Sequence, residues 1–363
     1  MTHSLKAACS INLGFPYQKS ATPAESNIEL HDFIVEQSRK GEPVGNEHAS
    51  ELLEKKLVEM FGVEAALWFP TGTLAQGVAA RIHTENAKNP TLLLHPSSHL
   101  LLYEDNGYEL AHDCKAIVKG AWRDTLDIDD DVGCVFIEMP QRHSGGELPS
   151  WEALTDIKVR SKALGIPLHI DGARLWSSRP FYNNRSYADI IAGFDSVYVS
   201  FYKDIGAMGG AALLGSSEFI QQAKRWRTRL GGYSVGSWPA MYDALRCLDK
   251  SVALMPEFVR HAQVLADAIR QFDGAKIDPE PPHTNLFHVL LPVPVKVAEA
   301  ARDKLANTSG IWLADRFWPE PLVDDMSEGS SNTCAMEIVV GGKAFDLDAE
   351  QFANAVGELI SYL

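Results

Sequence analysis

The sequence has few cysteines, no long apolar run and fewer basic than acidic residues. Its five cysteines are scattered among 363 residues and form no Cys-x-x-Cys pair, so neither a zinc ribbon nor a disulfide framework is expected. No apolar run reaches the roughly 18 residues that a membrane helix needs, and the polar start lacks a signal-peptide core. We therefore expect a cytoplasmic protein with no membrane partner.

The charge balance argues against one further class of partner. Lysine and arginine number 33 against 48 aspartates and glutamates, which gives a formal net charge of −15. A chain this acidic would repel a phosphate backbone, so nucleic acid is not an expected partner. His261, His283 and His288 show no metal-ligand spacing with acidic partners, and no metal site is assigned. Apolar residues make up 45% of the chain, as in an ordinary globular protein.

Hydrophobic periodicity predicts an N-terminal arm followed by two domains. Residues 1–44 lack a regular pattern and contain several prolines, which is typical of an irregular arm. In residues 45–255, short apolar runs alternate with helical segments, and this alternation indicates an α/β domain with a mostly parallel sheet. Residues 256–363 predict a smaller α+β domain, whose first helix would start at Pro256. One continuous α/β domain is the alternative. The strands predicted in the larger domain are Ala65–Phe69, Thr91–Leu94, Val132–Ile137, Ile166–Ile170 and Val197–Val199.

Four segments that could carry chemistry each follow a predicted strand, where ligands of open parallel sheets bind. In the first, the backbone N–H groups near Gly72 and Thr73 begin a helix and could bind phosphate; an ordinary turn capped by threonine is the simpler interpretation. In a second segment, SSHLLLYEDNG, His99 could stack on a planar cofactor or move protons. A hydrogen-bonded loop histidine is the alternative.

The other two segments carry a carboxylate and an amine. In HIDGARLW, Asp171 could hold a protonated ring nitrogen and Arg174 an oxyanion, or the two could form a structural ion pair. In VYVSFYKDIGAMGGA, Lys203 follows a buried strand, where burial would lower its pKa and supply a free amine; a lysine that extends to solvent is the alternative. Asp171 and Lys203 are 32 positions apart, about one strand–helix–strand unit. Together the four segments supply the groups that pyridoxal phosphate (PLP) requires.

The order TGT, SSH, HIDGARLW and YKDIG resembles the threonine aldolase and aromatic amino acid β-eliminating lyase family, which belongs to the fold-type-I PLP enzymes. The resemblance covers roughly residues 45 to 250 and implies a PLP-dependent transferase-like fold. The resemblance implies that Lys203 binds the cofactor covalently and that Asp171 pairs with its pyridine nitrogen. It implies that Arg174 contacts the ring hydroxyl and the substrate carboxylate and that His99 stacks on the ring. Gly72 and Thr73 would bind the phosphate.

The resemblance also implies a reaction and an assembly. A family member would cleave a small β-hydroxy-α-amino acid, such as threonine, to glycine and an aldehyde, and would form a homodimer or a homotetramer. A base near the β-hydroxyl, His99 or His143, would start the cleavage. The alternatives are a β-eliminating lyase or a transaminase acting on another amino acid, and a member that binds PLP without catalysis.

The sequence departs from the family pattern at two substrate-binding positions. Gln141 stands where the family has a histidine that contacts the substrate hydroxyl, and His143 lies two residues later. Glu337 aligns with the family arginine that binds the substrate carboxylate. A negative charge there would repel an amino acid, so either Arg142 or Arg174 would bind the substrate instead or the substrate differs.

Overall fold

The computed structural model describes residues 2–15, 22–41, 43–120, 126, 128, 131–321 and 331–363. The α-helices in these residues are α1 (Thr2–Ala8), α2 (Pro23–Arg39), α3 (Asn46–Phe61), α4 (Gly72–Ala87), α5 (His99–Tyr103), α6 (Gly107–Leu110), α7 (Trp151–Leu164), α8 (Tyr187–Ile191), α9 (Ser217–Arg229), α10 (Trp238–Ile269), α11 (Val295–Ser309), α12 (Gly342–Phe345) and α13 (Ala349–Ile360). The strands are β1 (Ile11–Asn12), β2 (Ala65–Phe69), β3 (Thr91–Leu94), β4 (Lys115–Val118), β5 (Cys134–Glu138), β6 (Leu168–Gly172), β7 (Ser196–Ser200), β8 (Ala211–Gly215), β9 (Lys276–Asp278), β10 (Leu286–Leu291), β11 (Ile311–Trp312), β12 (Phe317–Pro319) and β13 (Cys334–Val339). Within this part of the chain, no helix combines the length and the apolar character needed to cross a membrane.

The chain forms two compact units, each with its own sheet. The larger unit comprises the described residues of Ala21–Pro140 and Leu148–Ala253. The smaller unit comprises Gln141–Glu147 and the described residues of Met1–Ser20 and Leu254–Leu363. The short segment Gln141–Glu147 therefore belongs to a different unit from the residues on either side of it.

The larger unit is built on a seven-stranded sheet with the strand order β2-β8-β7-β6-β5-β3-β4. The strands from β7 to β4 pair in parallel, whereas β8 runs antiparallel to both β7 and β2. The predicted α/β fold with a mostly parallel sheet is confirmed. The antiparallel β8 was not predicted; it follows the glycine-rich loop after β7 directly, so the chain reverses without the helical crossover that a parallel neighbour would require.

Helix α4 packs on the centre of this sheet and fixes the position of its own first turn. Its buried residues contact β7 and β8, and a shared core encloses them. The larger side chains of that core include Leu67, Phe69, Val78, Ile82, Leu92, Leu94, Phe136, Tyr198 and Leu213. Burying one such aliphatic side chain stabilises the fold by about 1.5–3 kcal/mol. The core therefore fixes α4, and with it the first turn of the helix, against the sheet.

The smaller unit is an α+β structure, as predicted. Its sheet has the order β12-β13-β10-β9, and all neighbouring strands are antiparallel. A separate pair joins β1 to β11 in parallel. Helix α11 packs against α1 and α13. The core strands β10 and β13 are almost wholly buried, which explains their continuous apolar character in the sequence.

The expectation of an irregular N-terminal arm was wrong, because α2 occupies residues 23–39. Thr22 caps this helix: its Oγ1 accepts a hydrogen bond from the Glu25 N–H, and the Glu25 carboxylate accepts one from the Thr22 N–H. Pro23 is the first residue of the helix, where the missing N–H has no intrahelical partner to lose. The proline starts the helix, although it was interpreted as an interruption.

The expectation that a helix begins at Pro256 was also wrong. Pro256 lies inside α10, which starts at Trp238. A proline in a helix removes one backbone hydrogen bond and usually bends or ends the helix. Here Met255, Phe258 and Val259 are buried on either side of it, so packing of the apolar face outweighs the local preference.

Gly210, just before β8, provides a stability test. Its φ is +91°, and a Cβ there would lie 2.5 Å from the indole nitrogen of Trp68. We expect Gly210→Ala to lower the free energy of unfolding by about 1–3 kcal/mol, because backbone strain and overpacking add. A Cβ on Gly209 would meet nothing within 4 Å, so Gly209→Ala is the matched control. Denaturant unfolding would measure both; equal midpoints for the two variants would contradict the prediction.

Candidate active site

The carboxyl ends of the parallel strands bring the predicted residues to one edge of the larger unit's sheet. Asp171 lies near the end of β6 and is paired in register with Tyr198 of the adjacent β7. Lys203 follows the end of β7, and His99 is the first residue of α5, which follows β3. In a parallel sheet these strand ends lie side by side, so the three side chains belong to one region.

Asp171 is the electrostatic centre of this region. Its side chain is buried, and Oδ1 accepts a hydrogen bond from the Ala173 N–H at 3.2 Å. Burial raises the pKa of Asp171, whereas the positive charges of His99 and Lys203 lower it. Burial has the larger effect, so the pKa of Asp171 is raised overall, and positive charge at His99 and Lys203 favours the ionised form only in part. The arrangement can therefore present a negative charge to a protonated ring nitrogen.

Arg174 supplies a buried positive charge to the same unit. The residue is 7% exposed, and among the described residues its guanidinium has no hydrogen-bond acceptor and no carboxylate partner. Asp171 and Arg174 do not form the structural ion pair considered as an alternative. Burial raises the pKa of Tyr202, and the nearby charge of Arg174 opposes that shift. A buried cation without a protein anion is suited to an anionic ligand.

The Thr71-Gly72-Thr73 turn forms the start of α4. The Thr71 Oγ1 caps the helix by accepting a hydrogen bond from the Leu74 N–H at 3.3 Å. A Cβ on Gly72 would lie 2.2 Å from the hydroxyl oxygen of Tyr198, so only glycine fits under that ring. The threonine cap does not exclude anion binding at this helix start. Other N–H groups of the first helical turn still lack intrahelical partners. These groups can bind an anion such as phosphate.

The loop that carries Lys203 is anchored by hydrogen bonds to α10. The Met208 N–H donates to Asp243 Oδ2 at 2.6 Å, and the Ser251 hydroxyl donates to the Ile205 carbonyl at 2.8 Å. Within the loop, the Gly206 N–H donates to the carbonyl of Lys203 at 3.0 Å. The amine is thus placed by a short, hydrogen-bonded turn.

Glu104 is a member of this site that was not predicted from the sequence. Its Oε1 lies 3.1 Å from Nδ1 of His99, and its side chain is only 3% exposed. Burial raises the pKa of Glu104 to about 7, and the charge of Lys203 opposes that shift. The only sequence signal was an acid five positions after His99, in a polar stretch that is typical of a solvated loop.

Gln141 and Arg142 lie in the smaller unit. The backbone of Gln141 pairs with that of Glu147. The Arg142 guanidinium donates two hydrogen bonds to the Glu337 carboxylate, at 2.6 and 2.9 Å. Arg316 adds a second positive charge 3.6 Å from the same carboxylate. The charge of Glu337 is therefore balanced within its own unit.

His143 also belongs to the smaller unit, where it packs against Trp318. The two rings meet edge to face with centroids 4.9 Å apart, and the Arg142 guanidinium lies 5.1 Å from the centroid of the same tryptophan. This arrangement is a cation–π contact beside a buried ion pair. The substrate-binding roles of Gln141 and Arg142 and the base role of His143 stay predictions.

Comparison with known proteins identifies the family. The family model described as beta-eliminating lyase matches residues 38–291. This chain belongs to the beta-eliminating lyase family. The predicted resemblance is confirmed, and so is the predicted enzyme class, a lyase of a PLP-dependent family.

Solved structures and sequenced relatives agree with this assignment. A Listeria monocytogenes protein, provisionally designated an L-allo-threonine aldolase, is 32% identical with a TM-score of 0.87, over 99% of this chain and 98% of that one. An Exiguobacterium protein, provisionally designated an aromatic amino acid beta-eliminating lyase/threonine aldolase, is 26% identical with a TM-score of 0.86, over 99% of both chains. The low-specificity L-threonine aldolase 1 of Arabidopsis thaliana is 27% identical over 280 residues, 73% of this chain and 75% of the relative.

The buried Arg142–Glu337 pair makes a prediction about stability. Glu337→Ala leaves a buried guanidinium without its main partner, so we expect the free energy of unfolding to fall by about 3–5 kcal/mol. Replacing both residues by leucine should recover most of that loss. Glu59→Ala is the control, because its ion pair with Lys55 is exposed and such pairs contribute about 1 kcal/mol or less. Denaturant unfolding would measure the three variants, and equal losses for Glu337→Ala and Glu59→Ala would contradict the prediction.

Proposed function

We propose that this chain is a PLP-dependent aldolase that cleaves a β-hydroxy-α-amino acid, such as threonine, to glycine and an aldehyde. One observation carries the proposal: the buried Asp171 carboxylate is flanked by the charges of His99 and Lys203 at the strand ends. The names of the relatives support the substrate class, since they include low-specificity L-threonine aldolases from a plant and from Escherichia coli.

The described residues fit PLP group by group. Arg174 is a buried cation with no anionic partner among the described residues, and the N-terminus of the sixteen-residue α4 offers N–H groups at Gly72 and Thr73. The Lys203 amine can hold an aldehyde covalently, and Asp171 can hold a protonated pyridine nitrogen. When bound, PLP supplies a conjugated ring that accepts the electron pair released at the substrate Cα.

Each polar side chain then has a separate task. An ionised Asp171 would favour the protonated ring nitrogen of bound PLP, the form in which the ring accepts electrons best. Arg174 binds the ring hydroxyl or the substrate carboxylate through charge-assisted hydrogen bonds. His99 would contact the cofactor ring and accept the β-hydroxyl proton, a transfer that typically contributes about 10²- to 10⁴-fold to the rate.

The acidic residue at position 337 does not argue against an amino acid substrate. Arg142 and Arg316 compensate its charge, so the repulsion that motivated a non-catalytic alternative is reduced. A β-eliminating lyase and a transaminase remain possible outcomes of the product assay described below.

We also propose that the chain acts as a homodimer or a homotetramer in the cytoplasm. Apolar side chains are exposed on the segment between α9 and α10 and at its ends, including Val235 at 76% and Tyr233 at 51%, which supports a self-association surface. The five cysteines form no disulfide within the described part of the chain, which supports a reducing compartment.

Product analysis tests the proposed reaction. The purified protein, incubated with PLP and then with L-threonine or L-allo-threonine, should release acetaldehyde and glycine in equal amounts. Acetaldehyde can be followed with alcohol dehydrogenase and NADH, and glycine by amino acid analysis. A 2-oxo acid with ammonia would indicate elimination instead, and a 2-oxo acid formed only with an amino acceptor would indicate transamination.

Two lysine variants complete this test. Lys203→Ala should lower the rate by at least about 10³-fold, because it removes the covalent contact to the cofactor. Lys224→Ala removes an exposed lysine of α9 and should leave the rate unchanged. Aldehyde release by Lys203→Ala at the rate of the Lys224→Ala control would refute the assignment.

A further inference from the structure

Glu104 is a buried acid with one bonded partner. It follows α5, and among the described residues only the His99 imidazole makes a hydrogen bond or an ion pair with its carboxylate. Removing a carboxylate from water is unfavourable unless a nearby charge compensates for it. An acid with so few contacts contributes little to a structural network. Its main effect is therefore on His99.

Burial favours the neutral form of Glu104, and the positive charge near it partly offsets that preference. The other titratable groups that act on it or are affected by its charge are Lys203, Asp171, Tyr198 and Tyr202. Lys203 is positive and lowers the pKa of Glu104, in opposition to burial. The His99 imidazole lies closest, and its charged form would favour the carboxylate further.

The protonation state of Glu104 determines which nitrogen of His99 carries the proton. An ionised carboxylate can only accept a hydrogen bond. The Nδ1 of His99, 3.1 Å from Oε1, must then be the donor. In a neutral imidazole this places the lone pair on Nε2, which becomes the nitrogen that can accept a proton.

We propose that Glu104 is a positioning residue that fixes His99 as the Nδ1–H tautomer and stabilises the imidazolium formed when Nε2 accepts the substrate hydroxyl proton. A buried carboxylate has the same relation to the catalytic histidine in Ser-His-Asp sites. The proton on Nε2 is returned when the Cα of the glycine product is protonated, so each turnover leaves the pair unchanged and Glu104 ionised. The substrate part of this inference rests on the proposed aldolase function; the tautomer part does not.

The first test uses the protein without added cofactor. The chain has 12 histidines, and His99→Gln identifies the His99 signal in an NMR pH titration of histidine-labelled protein. In Glu104→Gln the midpoint of His99 should fall by about one pH unit, which is a tenfold change in acid dissociation, because the imidazolium loses its negative partner. Asp105→Asn is the matched control: it neutralises the adjacent exposed acid at φ 48°, a conformation that asparagine adopts readily. An equal midpoint in wild type and Glu104→Gln would overturn the proposal.

The second test uses the pH profile of aldehyde release. Glu104→Gln should lower kcat by about 10- to 100-fold with little change in KM, since it removes part of the contribution of the base. The acidic limb of kcat/KM should move to lower pH, because the imidazole loses its proton at lower pH without the carboxylate. Glu104→Asp should recover part of the rate, and Asp105→Asn should match wild type.

The two tests separate this inference from the proposed function. If wild type releases no aldehyde but Glu104→Gln shifts the His99 titration, the positioning role stands and the aldolase assignment fails. If wild type releases aldehyde and Glu104→Gln changes neither the titration nor the profile, the positioning role alone fails. Should Glu104→Gln not fold, Glu104→Asp provides both measurements, with smaller shifts expected in the same directions.

Discussion

A carboxylate removed from water, with His99 and Lys203 close enough to affect its charge, is the constraint on which the site depends. Burial alone would favour the neutral form of Asp171, and the positive charges of His99 and Lys203 oppose that tendency. The compensation is mutual, because each cation is also favoured by the carboxylate. The proposed site therefore requires that the ends of three different strands stay close together, and the parallel sheet provides that proximity.

Several hydrogen bonds and packing contacts of the larger unit hold these groups in place. The loop of Lys203 is hydrogen-bonded to Asp243 and Ser251 of α10. These bonds hold the backbone of the loop close to the end of β7. Gly72 allows the hydroxyl of Tyr198 to approach the first turn of α4, and the same turn exposes N–H groups. Hydrogen bonding, core packing and one obligatory glycine thus bring an amine, an acid, a guanidinium and a helix terminus to one sheet edge.

The features that could be predicted are those encoded locally. The strands Ala65–Phe69 and Thr91–Leu94 were predicted with the bounds observed, because apolar runs ended by turn residues are unambiguous signals. Glu104 was missed because its burial depends on packing that no local pattern encodes. The pairing of Arg142 with Glu337 joins residues 195 positions apart and could not be derived from spacing. Pro256 was misinterpreted because tertiary packing outweighed its local preference.

Reductive trapping tests the central claim most directly. The purified protein would be incubated with PLP, treated with sodium borohydride, digested and analysed by mass spectrometry for a pyridoxyl group on lysine. An amine facing a buried acid at this sheet edge predicts one labelled residue, Lys203, and an absorption band in the visible range before reduction. A protein that stays colourless, or a label on any other lysine, would contradict the account.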